Sequence, residues 1–274
     1  ILTMAAALLS SCHRYHDYSN TEWKDKDLPE WEDLTINTIN TVDPHASIVS
    51  HPDNASALEA RWRESVNVIP LDGKWKFNYS PSPAARPYWF FRKDFDTRQW
   101  GEIEVPSTWE REGYGTAYYV NSGYTFPVNP PFIDHSDNPV GSYKRTFTIP
   151  SGWDDKEVFL NFDGVSSAFY VWINGEQVGY SEDSKTTAEF NITPYIRKGK
   201  NDIAVEVYRY CDGSYLECQD FFRLSGIQRS VWLHARPKTY IRDYFAVPTL
   251  VNDYSDGLLN LSVELAGTGR RSTG

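Results

Sequence analysis

From Leu71 to about Lys238 apolar side chains recur at every second position, and this alternation commits the chain to sheet structure. Trp75, Phe77 and Tyr79 share one face of a strand, as do Val158, Leu160 and Phe162, then Phe169, Val171 and Ile173, and then Ile203, Val205 and Val207. Successive side chains of a strand point to opposite faces, so each run defines a face to bury. Asn174-Gly175 directly follows the third run. Both residues tolerate positive φ, the requirement of a two-residue hairpin, so a return strand is expected there. Gly199-Lys200-Asn201-Asp202 marks a further turn before the Ile203 strand. Strands joined by long connections, without sustained helical periodicity, predict an all-β jelly-roll sandwich over residues 71–238. Residues 239–274 carry another alternating strand (Leu259, Leu261, Val263, Leu265) and are too few to bury a core of their own.

One stretch interrupts the alternation. Arg209 to Arg229 reads RYCDGSYLECQDFFRLSGIQR, dense in both charge and aromatics. Asp212-Gly213-Ser214 is turn chemistry, Asp bonding its own backbone and Gly supplying positive φ. Beyond it lie Glu217, Gln219, Asp220, Arg223 and Arg229, interleaved with Tyr215, Phe221 and Phe222. A solvated loop gains nothing from such aromatics and a core nothing from such carboxyls. The mixture predicts a partly buried polar network lining a concave site, although a surface connection with a few ion pairs has the same composition.

The loop from Tyr118 to Ser142, YYVNSGYTFPVNPPFIDHSDNPVGS, is the second informative segment. Structureless loops of this length inside a compact domain are uncommon and usually functional. Pro127, Pro130, Pro131 and Pro139 stiffen it and lower the entropy lost on engaging a ligand. Asn129 presents an amide that both donates and accepts, which suits vicinal sugar hydroxyls; closing a turn before proline is its other use.

A net charge of −10 argues against a nucleic-acid partner, which requires basic stripes. Aromatics at 15% suit stacking on sugar rings, yet sandwich cores consume them too, so this figure does not discriminate. Residues 1–12, ILTMAAALLSSC, are too short for a membrane span and resemble the apolar region of a signal peptide. Leu9-Ser10-Ser11-Cys12 further resembles a bacterial lipobox, so Cys12 is expected to carry lipid and to anchor the protein to the cell envelope; a plain secretory signal is the alternative. Residues 13–70 read as an extended arm, with a docking segment at Leu28 to Asp33 and a short helical pattern from Ala57 to Arg63. With Cys12 assigned, a disulfide between Cys211 and Cys218 is left open. No Cys/His spacing suggests zinc, and none of the six His reads as a ligand. There is no G-x-S-x-G nucleophile elbow, and Gly113-Tyr114-Gly115 reads as a turn.

DGSYLECQDFFRLSGIQR and TFPVNPPF, with LDGKW, VPSTWEREGYGTAYY and FDGVSSAFYVWINGEQVGYSEDSK, resemble the N-terminal part of the large β-galactosidases of glycoside hydrolase family 2, over roughly residues 30–265. The resemblance implies a retaining enzyme that removes terminal non-reducing β-D-galactose. It implies that Asp220 contacts the galactose 6-hydroxyl and ligates sodium, and that Asn129 touches substrate from a loop reaching a neighbouring barrel. Residues 239–274 become the truncated start of an immunoglobulin-like sandwich. The family's catalytic Glu pair sits on a (β/α)₈ barrel of roughly 250 residues, so no catalytic residue is assigned here and the chain alone is expected to be inactive. Catalytic magnesium belongs to the full-length enzyme for the same reason. The arm's place at a subunit interface implies a homo-oligomer, with membrane contact only through the lipid. Glu30, Asp33, Glu182 and Asp212 match positions that gather around a structural divalent ion, with solvated carboxylates as the alternative. Cys211 and Cys218 depart from the family, standing where small polar or acidic residues are usual. A sibling β-glucuronidase or β-mannosidase is not expected to share VNPPF and ECQD, and a stand-alone carbohydrate-binding module would end cleanly after its last strand.

Overall fold

The alternating runs become two antiparallel sheets in the computed structural model, which describes residues 28–59 and 61–267. In chain order the strands are β1 (Thr38–Ile39), β2 (Val68–Pro70), β3 (Gly73–Ser80), β4 (Gly101–Val105), β5 (Tyr118–Val120), β6 (Val140–Ile149), β7 (Lys156–Phe162), β8 (Val165–Ser166) and β9 (Ala168–Ile173). They continue as β10 (Glu176–Ser181), β11 (Ala188–Asn191), β12 (Gly199–Tyr208), β13 (Phe221–Arg223), β14 (Gly226–Ile227), β15 (Val231–Pro237), β16 (Thr239–Val251) and β17 (Asp256–Gly267). One sheet has the order β1-β10-β9-β12-β6-β3-β4 and the other β11-β7-β15-β2.

The hairpin predicted at Asn174-Gly175 joins β9 to β10, with φ of 53° and 89° at the two residues. The reversal before β12 falls earlier than expected. Gly199 already pairs with Ile149 as the first residue of β12, and the chain turns in the preceding residues. Asn201 braces that turn from the strand, accepting from Arg197 N at 2.9 Å and donating to Arg197 O at 2.8 Å. The helical pattern is also displaced. Its α-helix spans Asn54–Leu58, capped by Asp53, whose side chain accepts from Ser56 N, and a separate 3₁₀ turn spans Trp62–Glu64.

Between the sheets lies the core that the alternation outlined, including Trp75, Phe77, Val158, Leu160, Phe162, Val171, Ile173, Val205, Val207 and Leu233. Each such side chain contributes roughly 1.5–3 kcal/mol when fully buried. A second core covers the other face of the larger sheet. Tyr170 and Trp172 of β9, Tyr180 of β10, and Ala204 and Tyr208 of β12 pack there against Trp31, Phe90, Phe91, Phe126 and Ile133. Phe91 stacks on Trp172 with centroids 5.0 Å apart. The buried charge of Glu206 on this face is met by Arg86, whose Nε lies 3.2 Å from it.

The docking segment behaves as its composition suggested. Trp31 is fully buried and stacks on Tyr208 at 5.2 Å. Its neighbour Glu32 accepts from Ile133 N at 2.7 Å and bonds His135 Nε2 at 2.9 Å, tying the arm to the Tyr118–Ser142 loop. The residues read as arm also supply an edge strand to each sheet, β1 pairing with β10 and β2 with β15. Beyond the sandwich, β16 and β17 form a long hairpin whose large apolar side chains, Phe245, Leu250, Leu259 and Leu265 among them, are exposed.

Candidate functional site

The loop and the interrupting stretch meet. Strand β5 at the start of the loop pairs with β13, setting Phe222 opposite Tyr119. Asp220 immediately precedes β13, is exposed, and accepts from the Tyr119 hydroxyl at 2.6 Å. That bond, ahead of desolvation, holds the Tyr119 hydroxyl above the ordinary phenol range. Tyr119 and Phe222 meet edge to face at 5.3 Å, so the carboxylate sits beside an exposed aromatic pair. Such a surface can offer a sugar one charged acceptor and an apolar flank.

Asn129 is exposed too, and its loop is clipped down by one side chain. The Tyr215 hydroxyl accepts from Asn129 N at 3.0 Å and donates to Phe132 O at 2.7 Å. Its ring meets Tyr124 and Phe126 at 5.2 and 5.1 Å. Tyr215 closes the short 3₁₀ turn Asp212–Tyr215, five residues before Asp220. One turn thus carries the clamp for the Asn129 loop and feeds directly into the Asp220 strand. Both bonds span more than 80 residues of sequence, so no spacing rule exposes Tyr119 or Tyr215 as site residues.

Beneath this surface the polar network forms separate, dedicated pairs. Glu217 accepts from Ser184 N at 2.7 Å and from Ser184 Oγ at 2.6 Å. Arg209 lies 3.3 Å from Glu110, both almost fully buried, and donates to Thr116 O at 2.8 Å. Cys211 and Cys218 are free thiols.

Two of the four carboxylates expected around a divalent ion come together. Glu182, Asp212 and the Cys211 thiol are buried, with one ligand atom from each within 4.8 Å of the others. Neither oxygen of Glu182 nor Oδ2 of Asp212 has a donor in hydrogen-bonding geometry. Burial first, and then the Asp212 carboxyl beside it, push Glu182 up to about 8. Burial likewise raises the Cys211 thiol well above its ordinary range. Buried oxygens of one sign fit a cation, or a proton held between the two carboxyls, which is what the upward shift of Glu182 describes. Glu30 is instead engaged by the Tyr170 hydroxyl at 2.5 Å, though its charge still reaches the buried Tyr180 together with those of Glu182 and Asp212. Asp33 caps Thr35 N at 3.0 Å. Cys12 lies outside the described residues.

Residues 68–237 match the family of glycosyl hydrolases family 2, sugar binding domain. Among curated proteins the chain is 44% identical to a β-galactosidase of Priestia megaterium over 86% of its length, and 39% identical to one of Halalkalibacterium halodurans over 90%. It spans only 23% and 24% of those relatives. Among solved structures it is similar to β-glucuronidase 2 of Bacteroides uniformis, a calcium-binding mutant, at a TM-score of 0.57 and 25% identity over 74% of this chain and 22% of that one. A β-glucuronidase of Bifidobacterium dentium shares the fold at a TM-score of 0.57 and 20% identity, over 74% of this chain and 36% of that one. The family match covers every strand of both sheets except β1, together with Asn129 and Asp220, and the chain belongs to glycoside hydrolase family 2 through this sugar-binding domain.

Proposed function

We propose that this chain is the N-terminal sugar-binding part of a retaining β-galactosidase acting on terminal non-reducing β-D-galactose. The observation that carries the reading is that the turn ending at Tyr215 holds the Asn129 loop and leads into the Asp220 strand, in a chain 38–44% identical to curated β-galactosidases. Its role in the reaction is positioning. Asp220 would accept from a galactose hydroxyl and share a sodium ion, and Asn129 would bond a second hydroxyl. The acid/base and nucleophilic carboxyls would come from a barrel elsewhere in the whole protein, with its magnesium, so this segment alone would turn over no substrate. Glu182, Asp212 and Cys211 would hold a structural divalent cation that neutralises the buried charge. The whole protein would act as a homo-oligomer, and lipid on Cys12 would attach it to a bacterial envelope. Residues 239–274 would open an immunoglobulin-like sandwich.

β-Glucuronidases among the structural relatives make a sibling specificity the competing reading, but their identities of 20–26% lie well below those of the β-galactosidases. The test compares chromogenic β-galactoside and β-glucuronide on the whole protein. The galactoside is expected to win in kcat/KM by more than about tenfold, roughly 1.4 kcal/mol. Preference for the glucuronide overturns the reading.

A further inference from the structure

Beside β13 lies a cavity of about 40 Å³ whose lining includes Ser184, Lys185, Glu217, Phe221, Arg223 and Ser225. A single water needs about 10–15 Å³ measured in this way, so the space takes about three water-sized groups. Arg223 is 8% exposed, and among the described residues no oxygen acceptor reaches its Nε or Nη2, the neighbouring Cys218 thiol being the group its charge acts on. Its remaining nitrogen Nη1 donates to Phe221 O at 3.3 Å. The guanidinium lies 4.5 Å above the Phe221 ring, and Lys185 Nζ stands 5.1 Å from the same ring. Two cations therefore flank one aromatic at the cavity wall.

The negative groups nearby are already committed. Glu217 is the one carboxylate in the described lining, and both its oxygens are taken by Ser184. Arg209, which also lines the cavity, is matched by Glu110 and carries its own hydrogen bonds. What remains is a buried guanidinium whose Nε–Nη2 edge has no oxygen acceptor. A donor left this way costs more than an exposed one, because desolvation is uncompensated. The Nε–Nη2 edge is a fork of two parallel N–H bonds, which matches two oxygens on one carbon.

We propose that this cavity is a carboxylate-binding site in which Arg223 grips the anion bidentately and Lys185 adds charge at the rim. The ligand class is a small carboxylate of about three heavy atoms at the bound end. It is supplied either free in solution or as an Asp or Glu side chain from a further part of the whole protein. The site does not rest on the galactoside reading, since neither Asp220 nor Asn129 lines it.

Formate is the probe, because its three heavy atoms fit the volume, and gluconate at equal concentration is the control, sharing the charge but carrying a hydroxylated, branched carbon beside the carboxylate where Asp and Glu side chains have a slim methylene. The melting temperature of the 274-residue chain is expected to rise by about 2–4 °C more in saturating sodium formate than in sodium gluconate. Arg223→Met should abolish that difference. Equal melting in the two salts, or a formate increment that survives Arg223→Met, overturns the proposal. A titration of wild-type chain against ¹³C-formate gives an independent reading should the variant fail to fold: a saturable shift is expected, and a purely linear response overturns the site. Repeating the melts on the whole protein identifies the source. A retained formate increment assigns a free anion. An increment lost there, with Arg223→Met destabilising the whole protein more than the chain, assigns a side-chain carboxylate.

Discussion

The Tyr119 hydroxyl donates to Oδ1 of Asp220 across 2.6 Å, so the carboxylate at the centre of the sugar-binding reading already has a partner within its own domain. Strand pairing enforces the contact, because β5 and β13 place Tyr119 opposite Phe222, two residues after Asp220. A sugar hydroxyl or a sodium ion at Asp220 would share or displace this bond. In the whole enzyme Asp220→Asn is expected to lower kcat/KM by at least about tenfold and to weaken sodium activation, through loss of a charge-assisted acceptor. Asn129→Ala should cost about fivefold with sodium dependence retained, a neutral contact being worth on the order of 1 kcal/mol. Tyr119→Phe should lower the sodium concentration for half-activation, since it frees the carboxylate. Full activity and an unchanged sodium response in Asp220→Asn would remove the assignment.

A cation between Glu182 and Asp212 makes a prediction with opposite signs in its two halves. Magnesium should raise the melting temperature of the chain by a few degrees, about 2–4 °C for each kcal/mol of binding at this size. Glu182→Gln should abolish that rise. In the presence of a chelator the same variant should melt higher than the parent, because it removes a buried carboxyl whose oxygens have no donor. A variant that melts lower than the parent under both conditions would assign the cluster a purely structural role without metal.

Trp31 helps anchor the arm by burial, fully enclosed and packed against Tyr208 and His135. Trp31→Ala should destabilise the chain by about 3–5 kcal/mol, the usual cost of emptying an aromatic core position. Denaturant melts read the loss directly. A change within about 0.5 kcal/mol would mean that the arm docks weakly and the second core closes without it.

These outcomes depend on features that differ in how plainly the sequence displays them. The inner faces of β3, β7, β9 and β12 were legible from alternation, and the β9–β10 turn from Asn174-Gly175, because both follow from local stereochemistry. The second core was less visible, yet Ala168–Ile173 is apolar at every position, the pattern of a strand buried on both faces. Asn129 and Asp220 lay in segments that composition and loop length had already marked, but only the resemblance gave them their roles. Tyr119, Tyr215 and Arg223 lay inside the two segments the sequence marked, but their partners were not legible, since each contact joins segments far apart in the chain.

His234 gives the chain a predicted acid sensitivity that begins well above the carboxylate range. The ring is fully buried on β15, and Arg236 Nε donates to its Nδ1 at 3.2 Å. Burial, and then the charges of Arg236, His45 and Lys156, push it from 6.5 down to about 3. Below pH 6.5 the unfolded chain therefore takes a proton that the folded chain refuses. The ring's own contribution to stability should fall as pH drops, by about 1.4 kcal/mol per unit, until the pH approaches about 3. Nearby His45 shifts the other way, raised chiefly by its hydrogen bond to Glu189, so its contribution is complete below 6.5 and lost only as pH rises through its folded value. Between pH 6.5 and 5 the parent's slope sums His234 with Glu182, which, pushed up to about 8, holds a proton in the fold that the unfolded chain lacks and so works in the opposite direction. Urea midpoints of parent and His234→Gln, taken at half-unit steps across this window, isolate the ring: the parent should lose ground against the variant as pH falls. A difference between the two that stays constant from pH 6.5 to 5 would mean that the ring gains its proton inside the fold without penalty.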